Sequence, residues 1–487
     1  MSAPSAVMAR SRTLAIVILL FASFMDLIDA TIVNVALPSM RADLEATPAQ
    51  LEWIVSSYML SFAVLLVTGS RLGDIFGRRR VFIVGIAGFT TFSLLATFAP
   101  GADVLIAARV GQGAFAAMMA PQLLSTIQVL FQPKERPAIF GLVGAVSGLA
   151  AVIGPLVGGW LVTADYFGLG WRMIFLINVP IGLVIIGLAL RFVPDTTSAR
   201  PPRLDWPGVA LASAGLFGIA FALVEGREED WAGWIWATLA GGVLLLGIFA
   251  RYQVRRERRD GAALLPMHLF RNRGYSAGLV TQLLFQGSMA GYVLVLAIYV
   301  QNGLGFSRIK AGLTLLPFSL GAFVGTAISV PLGTRLGKIV MFVGAVCQAV
   351  SVWWAVQAIH SHGAALTVWD LAPAMALGGV GLGLLVVPLI DVALATVPQR
   401  DAGAASGAYG TIQQVGAALG VAVAGVVFFN VIGVDFSQSA LERGMAAASW
   451  VAVIGYSLCA LATTLLPSRA AVQAHAEQQE RALALQP

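Results

Sequence analysis

The sequence predicts an all-α protein that crosses a membrane fourteen times, and three observations carry that prediction. Only 11% of its 487 residues are charged while 58% are hydrophobic, and the mean hydropathy is +0.85. A soluble domain carries roughly 25% charged residues, because a globule in water must keep a polar exterior. Lipid removes that demand. Second, the apolar residues come in long runs, and a helix needs about 20 of them to cross a bilayer. Strands of a membrane barrel alternate apolar with polar and would lower the mean hydropathy. Third, the lysines and arginines gather between alternate runs, on one side.

The elements follow in order. The opening MSAPSAVMARSRT is polar and basic and leads, without a small-residue cleavage site, into the first run; it reads as a retained span. Six spans are expected at 14–37, 51–72, 80–99, 104–130, 138–163 and 173–193. Two more are expected at 207–224 and 234–250, and a last six at 275–301, 310–333, 339–358, 369–397, 402–431 and 446–466. With the N-terminus inside, twenty-three of the thirty Lys and Arg fall inside, six fall outside, and Arg109 lies within a span. The excess of positive charge on cytoplasmic loops then places both termini in the cytoplasm, in the inner membrane of the cell.

The formal charge of +6 is therefore a topology signal. The run RYQVRRERRD (251–260) adjoins a span and lacks interleaved stacking aromatics, so it reads as an anchor on anionic lipid and not as a nucleic-acid site. LLPMHLFRNRG (264–274) is expected to lie along the same surface. Cys347 and Cys459 sit in apolar runs, and the four histidines form no spaced ligand set, so neither a disulfide framework nor a metal is expected. No GxxxxGK[ST] occurs, which argues against ATP hydrolysis. No cofactor is expected, and no enzyme activity.

An internal repeat organises the spans. GSRLGDI (69–75) follows the second span and GTRLGKI (333–339) follows the tenth. Taking the seventh and eighth spans as an insertion makes the tenth the second span of a second half. The expected domains are a six-helix bundle over 1–203, an inserted pair over 204–250, a basic linker over 251–274 and a second bundle with its tail over 275–487. Repeated halves are a transporter architecture, with the substrate bound between them at mid-membrane.

Six blocks of the chain resemble the major facilitator superfamily, and within it the fourteen-span drug:proton antiporters. LIDATIVNVALP (27–38) is similar to the first-helix signature of that family. GDIFGRRR (73–80) resembles the superfamily loop motif, carried by Asp74, Gly77, Arg78 and Arg79, although Ser70 stands where its leading glycine is usual and Ile75 where a basic residue is usual. LIAARVGQGAFAA (105–117) resembles the fourth-helix motif around Arg109 and Gln112. GPLVGG (154–159) resembles the fifth-helix antiporter motif, through Gly154, Pro155, Gly158 and Gly159, with Ala150 at the place of an earlier glycine. WRMIFLINVPIG (171–182) and SGAYGTIQQVGAALGVAVAG (406–425) are also similar to family blocks. The resemblance implies a major facilitator fold and proton-coupled export of small amphiphilic, cationic or lipophilic compounds by a monomer in the bilayer. A dedicated exporter of one antibiotic, metabolite or lipid is the alternative.

The residues themselves point the same way. Asp26 and Asp29 lie inside the first span, three apart and so on one helical face. A charge at mid-membrane costs about 2.5–3.5 kcal/mol on insertion scales, and two close carboxylates in low dielectric do not both ionise cheaply. That suits a proton carrier, with Asp29 as the principal one; the alternative is a helix–helix hydrogen bond. Arg109 keeps its proton and needs a partner. At 1.5 Å per residue it lies roughly 8 Å below the outer end of its span and Asp29 roughly 12 Å below that of the first span, so the two are expected to interact, with Gln112 one turn on. Asp391, near the inner end of the twelfth span, is a further acid, either a coupling carboxylate or merely interfacial. The Gly/Pro block gives a bendable, closely packed helix, which by resemblance limits leak. Asp74 with Arg78 and Arg79 reads as a latch at the cytoplasmic loop, or as a solvated basic loop. Thr31, Asn34, Gln112, Gln286 and Gln413 are assigned to the substrate cavity, and Trp53, Trp353, Trp354 and Trp369 to the membrane interface.

Overall fold

A computed structural model describes residues 3–467 apart from 133–134, 197–204, 227–228, 230, 261–264, 266, 396, 399–400 and 434–436. The boundary expected at 203–204, the tail beyond 467, and the loop cations Lys134, Arg200, Arg203, Arg227, Arg400, Arg469 and Arg481 lie outside the described residues.

Among the described residues there is no strand, and fourteen helices are long and apolar enough to cross a membrane. The first six are α1 (Ala3–Leu44), α2 (Pro48–Phe76), α3 (Arg78–Thr97), α4 (Ala102–Leu130), α5 (Arg136–Ala164) and α6 (Gly170–Phe192). Then come α7 (Trp206–Glu225) and α8 (Gly233–Asp260). The last six are α9 (Arg273–Ile298), α10 (Arg308–Leu336), α11 (Lys338–His362), α12 (Val368–Ala395), α13 (Ala402–Ile432) and α14 (Gln438–Thr464).

Local chemistry sets the ends. Thr47 starts α2 with a capping box, its hydroxyl accepting from Gln50 N at 3.2 Å while Gln50 Oε1 accepts from Thr47 N at 3.0 Å, and Pro48 fills a first-turn position that needs no N–H. The span α6 opens with a 3₁₀ turn over Gly170–Arg172 and breaks again at Ile177. Pro180 explains the second break, since it leaves the Leu176 carbonyl without its helical donor. In the repeat, Gly337 (φ 56°) makes the turn between α10 and α11, but its counterpart Gly73 stays helical. There α2 runs one turn further and bends at Gly77 (φ 98°), a conformation open to glycine at little cost.

Through the basic run 251–260, expected as part of the linker, α8 continues as helix to Asp260. Arginines favour a helix C-terminus, and the buried Asp205 at the start of α7 holds this extension. Asp205 Oδ1 accepts from Gly208 N at 3.1 Å and from the Tyr252 hydroxyl at 2.9 Å, and its Oδ2 accepts from Gln253 Nε2 at 2.7 Å. Met267–Arg271, in the segment expected to follow the surface, forms a short 3₁₀ helix.

The chain divides into two compact units. The first takes in residues 1–132, 153–267 and 398–411, and the second 133–152, 268–397 and 412–487. In the first, α2 packs on α4, α3 on α4 and α6, and α1 on α4 and α6. In the second, α10 packs on α12, α11 on α12 and α14, and α9 on α12 and α14. Numbered within each half, these are the same five pairings, which is the structural form of the sequence repeat. The pair α7–α8 belongs to the first unit: α7 packs on α2, where Trp53 meets Phe221 with ring centroids 5.8 Å apart. Trp353, Trp354 and Trp369 are exposed on the second unit, as interface anchors would be.

Candidate functional site

The first unit buries an acid–arginine network on α1, α2, α3, α4 and α6. Arg109 Nη1 donates to Asp29 Oδ2 at 2.5 Å and to Gln112 Oε1 at 3.0 Å, and its Nε donates to the Ile54 carbonyl at 3.1 Å. Both members of the ion pair are out of contact with solvent, at 1% and 0% side-chain exposure. Asp29 Oδ1 also accepts from Asn178 Nδ2 at 2.7 Å and from Gln112 Nε2 at 3.4 Å. Gln112 in turn donates to Ser93 Oγ at 2.7 Å. The Arg109 guanidinium lies over the Tyr58 ring, 4.2 Å from its centroid, and the Tyr58 hydroxyl donates to Asp26 Oδ1.

The pairing of Asp29 with Arg109 matches the expectation from their depths. Three participants carry no charge and escaped the sequence reading: Tyr58, Ser93 and Asn178. Asn178 had a usable signal, because a side-chain amide inside an apolar run wants a buried partner. Gln112, expected both beside this pair and in the substrate cavity, is fully buried within the network.

The Gly/Pro block of α5 packs on α1 just beyond Asp29. A Cβ at Gly154 would run into the Thr31 hydroxyl, and one at Gly158 would stand 2.6 Å from Ile32 Cγ1, whereas Gly159 has 4.0 Å to Val35. Thr31 bonds its own helix, donating to Leu27 O and Ile28 O at 3.1 Å, and Asn34 is exposed. Pro155 is accommodated within the helix.

The loop motif holds the first turn of α13. Asp74 Oδ1 accepts from Arg78 Nη2 at 2.8 Å, and Arg71 Nη1 stands 3.9 Å from its Oδ2. The carboxylate lies against Gly403, where a Cβ would overlap it. A negative charge there faces the positive end of the α13 dipole. Ser70 makes its departure from the motif useful, since its hydroxyl donates to the Gly403 carbonyl. Gly77 leaves room for Asp195, Arg78 N donates to Thr196 O at 3.1 Å, and Arg79 Nη1 donates to Val193 O at 3.5 Å.

The remaining residues lie in the second unit. Asp391 on α12 faces the opposite charge of Arg136 at the start of α5. Gln413 on α13 is exposed, and Gln286 on α9 is half-buried beside Gly416.

Comparison with known proteins fits this architecture. The profile of the Major Facilitator Superfamily matches residues 19–421. The chain is 41% identical to the Probable actinorhodin transporter of Streptomyces coelicolor over 470 residues, covering 96% of this chain and 81% of that one. It is 37% identical to the puromycin resistance protein pur8 of Streptomyces alboniger, over 85% of this chain and 81% of the relative. Among solved structures, the proton:xylose symporter XylE superposes with a TM-score of 0.67 at 14% identity, covering 93% of this chain and 95% of that one, a likeness of fold alone.

Proposed function

Because the chain belongs to the Major Facilitator Superfamily, a multi-pass membrane protein of a transporter family and no enzyme, we propose that it exports small amphiphilic, lipophilic or cationic molecules in exchange for protons, by alternating access. The observation that carries this reading is the charge of the buried network in the first unit, which holds two carboxylates, Asp26 and Asp29, and one guanidinium, that of Arg109, paired with Asp29. Burying an unpaired charge is expensive. A proton bound when the site is closed and lost when it opens to water removes that cost, and it ties the conformational change to the proton gradient.

In this reading Asp29, Asp26 and Arg109 form the coupling site, and Asp391 with Arg136 a second charged pair. Asp74, Arg78 and Arg79 latch the start of α13. The block Gly154, Pro155, Gly158 and Gly159 keeps α5 close on α1 against leak. Thr31, Asn34, Gln286 and Gln413 contact the cargo. The protein sits in the inner membrane with both termini in the cytoplasm and works as a monomer, with the bilayer, the substrate and protons as its partners.

A second reading, the dedicated export of one antibiotic-like molecule, is supported by the 41% identity over nearly the whole chain to a protein named for actinorhodin. One experiment tests both. Inverted membrane vesicles carrying the protein are given puromycin, aromatic polyketide pigments and unrelated lipophilic cations, with and without an acid interior. Several unrelated compounds accumulating under the gradient support the broad reading, and one alone supports the dedicated reading. Accumulation that ignores the gradient contradicts proton exchange.

A further inference from the structure

Within the proton-coupled reading, and resting on it, we propose a division of labour between the two buried acids of α1: Asp26 carries the exchangeable proton, Asp29 is the permanent counter-ion of Arg109, and Tyr58 is the positioning residue that joins them.

The partners of the two carboxylates differ. Asp29 accepts from three nitrogen donors on two other helices, the Arg109 guanidinium at 2.5 Å, Asn178 at 2.7 Å and Gln112 at 3.4 Å. Each of these donors points an N–H at the carboxylate, which leaves little place there for a further proton. Asp26 accepts one hydrogen bond among the described residues, from the Tyr58 hydroxyl. A phenol adapts to either state of its neighbour, because its O–H rotates and its oxygen can also accept. Exposure divides them the same way. Asp29 is at 0%, while Asp26 keeps 7%, and a group that trades protons with water has to meet water.

Charge balance completes the assignment. Asp29 and Arg109 sum to zero, so the surplus negative charge of the network falls on Asp26. Among the described residues, the elements packed around α1 bring no other cation to it. From α2 comes Tyr58, from α4 Arg109, which is committed to Asp29, and from α6 the uncharged Asn178. Arg172, at the opening of α6, is paired with Asp43. From α5 come Gly154 and Gly158, which titrate nothing. Protonation therefore makes the whole network neutral: the Asp26 carboxylate takes one proton from water to become a carboxylic acid, and returns it to water when the site reopens. Tyr58 links this event to the ion pair, because its ring carries the Arg109 guanidinium at 4.2 Å while its hydroxyl holds Asp26.

The test needs no substrate. Infrared difference spectra of the purified protein in lipid, recorded between alkaline and acid pH, show the carbonyl stretch of each carboxyl that takes up a proton. Wild-type protein should show the Asp26 component, and Asp26→Asn should lack it. Asp391→Asn identifies any second component. Asp26→Glu should restore the band if Asp26→Asn folds poorly. Tyr58→Phe should keep the band and move it to higher frequency, a change that a merely structural tyrosine would not produce. A band lost in Asp29→Asn and kept in Asp26→Asn overturns the assignment, as does an unshifted band in Tyr58→Phe. Gradient-driven puromycin uptake into inverted vesicles separates the two levels. Uptake by wild-type protein that ignores the gradient overturns the antiport reading itself, whereas gradient-driven uptake that survives in Asp26→Asn and fails in Asp29→Asn overturns only the division of labour.

Discussion

Arg109 is held from three sides, by the Asp29 carboxylate, by the carbonyls of Gln112 and Ile54, and by the Tyr58 ring. Removing it leaves the buried Asp29 carboxyl without its counter-charge, and breaking one partner of such a pair costs about 3–5 kcal/mol. Arg109→Ala should therefore lower thermal stability in detergent as well as abolish coupled uptake. Arg109→Lys should recover most of the stability and little of the coupling, because an ammonium lacks the planar fork that reaches Asp29 and Ile54 together. Equal coupling by the Lys variant would mean that charge alone matters. The pair was legible in the sequence because a guanidinium deep in a span has to find a carboxylate, and Asp29 stands at a similar depth. Tyr58 and Ser93 were not legible. A hydroxyl in a span is commonly satisfied by its own helix, as Thr31 and Thr281 are here, and only the fold brings Ser93 to Gln112 and Tyr58 to Asp26.

At the scale of elements, hydropathy placed all fourteen spans because lipid selects for length and apolarity and little else. It did not find where helices end outside the membrane. The charged extension of α8 reads as linker by composition, yet it is helix because Tyr252 and Gln253 have Asp205 to bind. The repeat likewise aligned Gly73 with Gly337, although the first copy turns four residues later at Gly77. The join of α2 to α13 is the element-scale contact with a functional consequence. Gly403→Ala places a methyl group on the Asp74 carboxylate, and Asp74→Asn removes its charge from the α13 dipole. Both should slow turnover several-fold, with at most a modest change in substrate affinity, because each acts on a conformational equilibrium away from the cargo. Stopped-flow uptake beside equilibrium binding measures the two separately. Lost binding with unchanged turnover would contradict the latch.

The whole molecule repeats one packing scheme twice. The first helix of each half meets the fourth and sixth, the second meets the fourth, and the third meets the fourth and sixth. The asymmetry lies in the charges. The equivalent of α1 in the second half is α9, whose polar interior residues, Gln282, Gln286 and Ser288 among them, carry no charge, while the span of α1 buries two acids, Asp26 and Asp29. In the proposed reading proton coupling therefore belongs to the first unit. The most direct test of that reading is a proton count on the purified protein in weak buffer. A compound shown to be exported is added, and the pH change is read with an indicator dye. Wild-type protein should release protons on binding, and the Asp26→Asn, Asp29→Asn double variant should bind the compound and release none. Release of the same number of protons by the double variant would contradict the account, since the coupling acid would then lie outside this network.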